Sequence, residues 1–285
     1  ADSILALLDR TRLSLIVDDA EVAAGWARVM AAAGRMLDVL VKIDVGFHRC
    51  GVDPVSPEAL HLISLVANLP GLRLRGILSH AGHGYHAGSE AALRMIAEEE
   101  VNAMTRLAAH MRQKGVAIDE ISIGATPTAR FSLTHAGPTE LRPGNYVYFD
   151  RTQVGLGAAS IHDCALTVLT TVVAKHRGRV ILDAGSKTLT SDGARGFTPM
   201  SGHGALSPSP AAGLAPHDGF QVERLSEEHA TVRVLEGAPG LNIGDRVRIV
   251  PNHSCVVSNL VETVHMVDGE AVVESLPVAA RGRIL

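Results

Sequence analysis

The feature that most constrains the fold is a change of pattern near residue 150. Before it, short apolar runs alternate with longer stretches of helical periodicity. The runs that read as strands lie at 13–17, 39–44, 74–80, 118–123 and 141–148. Strands that alternate with helices at this spacing predict parallel βα units. After residue 150 the apolar runs are separated only by Gly, Pro and Asp turns, which predicts strands alone.

This pattern predicts an α/β half followed by a β half, with domains 1–150 and 151–285. A (β/α)8 barrel needs eight strands, and the first half offers five, so on the order of 90 residues of such a barrel have no counterpart here. The alternative is an open doubly wound sheet, but no G-x-G-x-x-G follows the first strand to support a dinucleotide site. A Gly, Pro and Ser-rich loop is expected at 200–219.

The composition excludes several classes of protein. The net charge of −4 provides no basic surface for nucleic acid or for an anionic membrane. No apolar run is long enough to cross a bilayer, and the first residues do not resemble a signal peptide. Three scattered cysteines cannot form a disulfide framework, so a cytoplasmic protein is expected.

The segment VKIDVGFHRCG (41–51) places polar side chains at the end of a predicted strand. In an extended strand Lys42 and Asp44 share one face, and Arg49 follows just beyond the strand end, where barrel active sites are built. This indicates a functional site. The alternative is an ion pair between Lys42 and Asp44 at a sheet edge with a surface arginine beside it.

The next strand ends in GILSHAGHGYH (76–86), a glycine-rich segment that carries His80, His83, Tyr85 and His86. Glycines allow a ligand to approach the backbone closely. The two histidines at H-x-x-H spacing also resemble half of a zinc site, although that spacing is common. The alternative is a solvated, histidine-rich loop.

Two later segments have the character of phosphate-binding turns. SIGATPTAR (122–130) presents Thr126 after a strand and a glycine, and LRPGNYVYFD (141–150) presents Gly144 and Asn145. Such turns offer backbone N–H groups and hydroxyls to a phosphate. Loops after the last strands of a barrel often bind phosphate, which is the position that both segments occupy.

The segment PNHSC (251–255) follows a predicted strand and contains His253 and Cys255. If 253–255 is extended, the two side chains point the same way, and an imidazole with a thiolate suits Zn²⁺. Two protein ligands leave positions open for water or substrate, as in a catalytic site. The alternative is a buried cysteine beside a solvent-exposed histidine.

Taken in order, these segments resemble the family that joins D-serine dehydratase and D-threonine aldolase. The motifs that carry the resemblance are VKIDVGFHRCGV, LSHAGHGYH, SIGATPTAR, ELRPGNYVYFD, ILDAGSKTLTSD and PNHSCVVSNL. The resemblance implies an alanine-racemase-like barrel of the (β/α)8 type, followed by an all-β domain. It also implies the cofactor pyridoxal 5′-phosphate (PLP), a divalent metal such as Zn²⁺ or Mn²⁺, and a homodimer.

The resemblance further implies roles for individual residues. Arg49 would lie near the phenolic oxygen of PLP, and His253 and Cys255 would bind the metal beside the substrate. In the aldolase reaction, His80 or His83 would be the base that takes the proton of the substrate hydroxyl. The residues implied to hold or line the cofactor are Arg49, Tyr85, Thr126, Gly144, Asn145 and Tyr148.

One departure from the family concerns the lysine that binds PLP covalently. It lies on the first barrel strand, a segment with no counterpart here, and Lys42 matches a position that supports the surroundings of Arg49 instead. The chain is therefore expected to be a truncated form. The predicted function is a PLP- and metal-dependent lyase acting on D-3-hydroxy amino acids. The alternatives are an amino-acid racemase and a non-catalytic PLP-binding protein.

Overall fold

The alternating pattern of the first half folds into five parallel strands laid side by side in chain order. The computed structural model describes residues 1–209 and 214–283. The strands are β1 (Ser14–Val17), β2 (Leu37–Lys42), β3 (Leu72–Leu78), β4 (Glu120–Ile123) and β5 (Glu140–Leu141). The helices of this half are α1 (Asp2–Leu8), α2 (Ala20–Ala32), α3 (Pro57–Asn68), α4 (Glu90–Gln113) and α5 (Thr126–Ser132). The predicted parallel βα arrangement is confirmed.

The sheet is stabilised by a core in which the helices pack against apolar residues of its strands. Every residue of β2 is buried, as expected for a strand inside a parallel sheet. Met30 of α2, Ile63 of α3 and Met104 of α4 pack in one core with the apolar residues of β2 and β3. Side chains also fix where helices begin, since Asp19 accepts hydrogen bonds from the first N–H groups of α2.

The prediction of a last strand at 141–148 is wrong. The strand β5 contains only Glu140–Leu141, and a 3-10 helix at Asn145–Val147 follows it. Pro143 lies between them and has no N–H to donate to a neighbouring strand, so the ladder cannot continue.

Gly76 is required where β3 and β4 approach each other. A Cβ on Gly76 would overlap the carbonyl group of Glu120 on the neighbouring strand. We expect Gly76→Ala to lower the free energy of unfolding by about 2–3 kcal/mol, because the backbone must shift. Gly25→Ala is the matched control in helix α2, where the added Cβ would make only an ordinary contact of 4.0 Å with the guanidinium of Arg28. It should raise the same quantity by about 0.5–1 kcal/mol. Urea denaturation followed by circular dichroism measures both.

The second half forms a six-stranded antiparallel sheet in the order β8-β11-β6-β7-β10-β9. Its strands are β6 (Val168–His176), β7 (Arg179–Leu182), β8 (Ala205–Ser207), β9 (Phe220–Leu225), β10 (Ala230–Val234) and β11 (Arg246–Val250). The end strands β8 and β9 also contact each other, so the sheet is nearly closed into a barrel. Val172, Val222 and Val247 lie in its core. A separate hairpin pairs β12 (Thr263–Asp268) with β13 (Ala271–Pro277).

The second half is not free of helices, contrary to the prediction. It contains α6 (Arg151–Gly155), α7 (Ser186–Leu189) and α8 (Ser254–Leu260). Each is too short to show a helical period in the sequence. The predicted loop at 200–219 contains strand β8, and its residues 210–213 lie outside the described residues.

The chain divides into two compact units. The first consists of Ala1–Gly84 and Ala91–Pro143, and the second of Tyr85–Glu90 and Gly144–Leu285. The first unit ends at Pro143, and residues from Gly144 onward pack with the β half. None of the helices in the described ranges is long and apolar enough to cross a membrane.

Candidate functional site

In the second unit, a buried asparagine fixes the turn that carries the PNHSC motif. Asn252 is fully buried, and its Nδ2 donates to the carbonyl oxygens of Asp192, at 3.0 Å, and Gly202, at 2.9 Å. Its own carbonyl oxygen accepts a hydrogen bond of 2.8 Å from Oγ1 of Thr152. These bonds hold the chain firmly between β11 and α8, so the next residue, His253, has a fixed starting position.

The side chains of His253 and Cys255 meet at the start of α8. The expectation that 253–255 is extended is wrong, because Ser254 already begins the helix. Only His253, the residue that precedes the helix, has an extended backbone. The two side chains share a hydrogen bond, which lowers the pKa of Cys255 and raises the pKa of His253 to about 9. Cys255 is exposed, so the alternative of a buried cysteine does not apply.

Asp192 orients the imidazole of His253. Its Oδ2 lies 2.6 Å from Nδ1 of His253, which leaves Nε2 as the nitrogen available to a metal. Metal-binding histidines commonly donate their other N–H to a carboxylate in this way. An imidazole beside an easily ionised thiol suits Zn²⁺. Within 1–209 and 214–283, no group of three or more His, Cys, Asp and Glu residues could hold a metal. The pair therefore offers two protein ligands.

A buried carboxylate, Asp150, organises the surroundings of this pair. It is 1% exposed, and its Oδ2 accepts hydrogen bonds from Nδ2 of Asn145, at 2.6 Å, and from the backbone N–H of Ser254, at 3.0 Å. Its Oδ1 accepts from the N–H of Gln153 at 3.0 Å. Nδ2 of Asn145 also lies 3.5 Å from Sγ of Cys255. Asp150 thus joins α6, α8 and the turn that carries Asn145.

Tyr85 belongs to the same unit and is held by Gln153. Nε2 of Gln153 donates to the hydroxyl of Tyr85 at 3.3 Å, and burial raises the pKa of that hydroxyl, so it remains a phenol. The amide oxygens of Gln153 and Asn145 are buried without a hydrogen-bond partner. Gly144 and Tyr148 flank the turn that carries Asn145, the former exposed and the latter half-buried.

In the first unit, Arg49 lies on the loop that follows β2. Its guanidinium stacks 4.9 Å from the ring centre of Phe47, and that ring contacts His80 edge-on at 5.9 Å. The proposed ion pair between Lys42 and Asp44 is not formed. Asp44 instead accepts hydrogen bonds from Gly46 and His48, because the chain turns back on itself directly after Asp44. Lys42 is buried, and burial lowers its pKa.

The histidine segment is not a solvated loop, since Gly82–His86 forms a 3-10 helix with His80 and His83 partly buried. Nδ1 of His80 lies 3.0 Å from the carbonyl oxygen of Gly124, so Nδ1 carries the proton and Nε2 is free to accept another. Burial lowers the pKa of both His80 and His83, which keeps them neutral. The third histidine of this segment, His86, is exposed.

Thr126 is buried at the start of α5, and its Oγ1 has no hydrogen-bond partner. A buried hydroxyl of this kind has a free-energy cost unless a ligand or water satisfies it. This observation fits a phosphate-binding role. The N–H groups of the turn that precedes α5 are partly used, since Ala125 donates to Oγ1 of Thr128.

Glu100, a residue that the sequence analysis did not single out, lies inside the first unit. It is 1% exposed, and its Oε1 accepts a hydrogen bond of 2.6 Å from Oγ of Ser79. Burial raises its pKa above the ordinary value of 4.5. The nearby cations of Arg142 and Lys42 oppose that rise.

The raised pKa of Glu100 predicts a pH-dependent stability. Between its unfolded and folded pKa values the folded protein binds the proton more tightly, so the free energy of unfolding falls as pH rises from about 4.5 through the folded value. Glu100→Gln should remove this fall, so the variant gains stability relative to wild type as pH rises. Urea denaturation between pH 4 and 8 measures it, with Glu98→Gln as the control on the same helix. Parallel curves for wild type and Glu100→Gln would contradict the expectation.

The structure therefore groups the predicted site residues into two sets. Asn145, His253 and Cys255 meet in the second unit, which also contains Tyr85, Gly144 and Tyr148. The first unit contains Arg49, His80, His83 and Thr126. Asp192 and Asp150 were missed by sequence reasoning, although both lie in quoted motifs, at the ends of TLTSD and NYVYFD.

Comparison with known protein families matches both halves of the chain. Residues 1–152 match the family model described as "Alanine racemase, N-terminal domain". Residues 165–267 match the model described as "Putative serine dehydratase domain". The first match alone covers more than half of the chain, and together they define an alanine-racemase-like fold with an appended β domain.

Individual relatives agree with these matches. The chain is 32% identical over 254 residues to D-threo-3-hydroxyaspartate dehydratase from Delftia sp. (strain HT23), covering 85% of this chain and 66% of that enzyme. It is 30% identical over 288 residues to D-threonine aldolase from Arthrobacter sp., covering 98% of this chain and 71% of the aldolase. It belongs to the D-serine dehydratase and D-threonine aldolase family, and the predicted family and fold class are confirmed.

A solved structure supports the same conclusion. The Delftia dehydratase superposes with a TM-score of 0.87 at 28% identity, covering 97% of this chain and 74% of that one. Two mutants of that enzyme have also been solved, a histidine-to-alanine mutant and a cysteine-to-alanine mutant in the metal-free form. The two mutated positions are separated by one residue, as His253 and Cys255 are. By sequence, this chain spans just under two thirds of the dehydratase.

Proposed function

We propose that this protein is a PLP- and zinc-dependent lyase that acts on D-3-hydroxy amino acids. The observation that carries the proposal is the pair His253 and Cys255, with Asp192 orienting the imidazole at 2.6 Å. The Delftia dehydratase and the Arthrobacter aldolase act on D-amino acids by their names. The metal-free cysteine mutant of the Delftia enzyme supports a metal at the corresponding pair.

Zinc would be held by Nε2 of His253 and Sγ of Cys255. A zinc ion in such a site acts as a Lewis acid toward a substrate hydroxyl. The protein prepares both ligands: the lowered pKa of Cys255 favours the thiolate, and Asp192 fixes the imidazole tautomer. Asn145 donates toward Sγ of Cys255, which stabilises the sulfur in its ionised form. Mn²⁺ is the alternative metal.

Several residues named from the sequence are proposed to hold PLP. When bound, PLP serves as an electron sink for carbanion chemistry at the α-carbon of an amino acid. Thr126 would bind its phosphate, since the buried hydroxyl lacks a partner, and Gly144 and Asn145 are proposed for the same role. Arg49 would lie near the phenolic oxygen. Tyr85 and Tyr148 would line the cofactor.

His80 is suited to accept a proton. Its Nδ1–H donates to the carbonyl of Gly124, and burial keeps the ring neutral, so the lone pair of Nε2 remains available. His83 is neutral for the same reason, and its ring packs against Gly46. In an aldolase this proton comes from the substrate hydroxyl. In a dehydratase the hydroxyl leaves and His80 has no such task.

The experiment that tests the proposal is metal analysis combined with a panel of D-amino acids. Zinc near one equivalent per chain, with turnover of D-serine, D-threonine or D-threo-3-hydroxyaspartate, would support a lyase. The racemase alternative is favoured by the family match of residues 1–152, and it requires no metal. Interconversion of D- and L-alanine that persists after zinc removal would establish the racemase and contradict the lyase.

Asp192→Ala should weaken zinc binding without removing a ligand. Loss of a carboxylate that orients a metal-binding histidine lowers metal affinity about 10–100-fold. Competition with a chelator of known affinity measures the change. Asp183→Ala is the matched control, because Asp183 lies in the same unit and accepts its hydrogen bonds from Thr170 and Thr171. Unchanged zinc affinity in Asp192→Ala would contradict the role given to this carboxylate.

A homodimer in the cytoplasm completes the proposal. The family resemblance supports the dimer, and the scattered cysteines support a reducing compartment. Sedimentation of the purified protein tests the oligomeric state.

A further inference from the structure

We propose that Glu100 is a positioning residue for the cofactor phosphate, because it holds the peptide that leads into Thr126. This inference rests on the proposed function and concerns one part of it. Glu100 does not touch the phosphate itself. It acts through Gly124, which lies two residues before Thr126 and directly follows β4.

The position of Glu100 on its helix is unusual for a carboxylate. It follows Glu98 and Glu99 in the chain, but it lies on the buried face of α4 with Ala97 and Met104. Burying a carboxylate is costly unless hydrogen bonds satisfy it. The hydrogen bonds that Glu100 accepts offset this cost and indicate its role.

Oε1 of Glu100 joins the ends of two neighbouring strands. It accepts a hydrogen bond of 2.6 Å from Oγ of Ser79, just beyond β3, and one of 3.4 Å from the backbone N–H of Gly124, just beyond β4. Arg142 binds the carbonyl oxygen of Ser79 and, at 2.7 Å, Oγ of Ser122. The residues around Glu100 are therefore fixed by side chains from three strand ends.

The Gly124 residue is held from both sides. Glu100 accepts from its N–H, and Nδ1 of His80 donates to its carbonyl oxygen at 3.0 Å. Gly124 has a φ of +110°, a conformation that glycine adopts without strain. The N–H and the C=O of Gly124 belong to the two successive peptide planes on either side of its Cα, so the two contacts restrain both planes. The chain therefore enters α5 in a restrained position, and with it the buried, unpartnered hydroxyl of Thr126.

Comparing PLP with pyridoxal, which lacks the phosphate, separates positioning from general stability. We expect Glu100→Ala to weaken PLP binding about 3–10-fold, the effect of losing one ordinary hydrogen bond, and to leave pyridoxal binding unchanged. Equilibrium dialysis monitored by absorbance measures both affinities. Glu100→Gln retains an acceptor oxygen and should bind PLP nearly as wild type. Glu98→Ala is the control on the same helix.

The variant Thr126→Val provides a second test in the same binding experiment. It should show the same selective loss, and the double variant Glu100→Ala/Thr126→Val should lose no more than the weaker-binding single variant, since both act on one contact. If Glu100→Ala does not fold, Glu100→Asp, which withdraws the carboxylate from Gly124, should show the selective loss. Equal weakening of PLP and pyridoxal, or additive losses, would overturn the role of Glu100. If wild type binds neither compound, the proposed function fails instead.

Discussion

Cys255→Ala is expected to reduce bound zinc to background and to abolish turnover of D-3-hydroxy amino acids. The variant removes one of two protein ligands, so its effect should exceed the about 10–100-fold loss typical of an orienting residue. The thiol of Cys255 is also the group toward which Asn145 and His253 direct hydrogen bonds. Zinc content by mass spectrometry and activity toward D-serine, D-threonine and D-threo-3-hydroxyaspartate measure the two effects.

The chain provides a control for this prediction. Cys50 is also an exposed cysteine, so Cys50→Ala removes another thiol, from the other unit, and should leave zinc content unchanged. His253→Ala should reproduce the zinc loss of Cys255→Ala. Full activity of wild type after removal of zinc by a chelator would show that the metal has no catalytic role. Retention of zinc in both ligand variants would show that it binds elsewhere.

Much of the fold can be predicted from the sequence, because buried strands and helices contain local patterns of apolar residues. Strand β2 is mostly apolar and buried throughout, and β3 has four apolar residues around Arg73 and Arg75; the positions of both strands were predicted within about two residues. β5 was misread because Tyr146 and Tyr148 resemble strand residues, while Pro143 decides the local conformation. Short helices such as α6 leave too few residues to show a period.

Some contacts of the candidate site lie within one segment of the sequence. Others form only between segments that the fold brings together. His253 and Cys255 are neighbours in the chain, so their pairing was predicted, although through the wrong backbone conformation. Asp192 reaches His253 from 61 residues away, and no local pattern could establish that contact. The sequence signal for Asp192 was its position as a carboxylate at the end of the motif ILDAGSKTLTSD.

The burial of Glu100 can be predicted from the helical periodicity of α4. The run Glu98, Glu99 and Glu100 reads as a solvated charge cluster. However, Leu93, Ala97 and Met104 are buried on α4 at helical spacing, and Glu100 falls on that face. A carboxylate on the apolar face of a helix is a candidate for a specific role, because it must be satisfied inside the protein.

Asp150→Ala is expected to lower the free energy of unfolding of the second unit by about 3–5 kcal/mol. The substitution leaves the N–H groups of Gln153 and Ser254 and the amide of Asn145 without their acceptor, and each such buried donor costs about 1–3 kcal/mol. Because these donors lie on α6, on α8 and on the Asn145 turn, their loss loosens the surroundings of the metal pair as well. Urea denaturation followed by circular dichroism measures the change.

The variant Asp150→Asn tests whether both carboxylate oxygens are needed as hydrogen-bond acceptors. Both accept hydrogen bonds, Oδ1 from Gln153 and Oδ2 from Asn145 and Ser254, so an amide NH₂ must face a donor on one side. The variant should therefore be less stable than wild type and more stable than Asp150→Ala. Asp163→Ala removes an exposed carboxylate that accepts hydrogen bonds from Ser160, and it should change stability far less. If Asp150→Asn were as stable as wild type, one oxygen would suffice, and Asp150 could not be the group that ties α6 to α8.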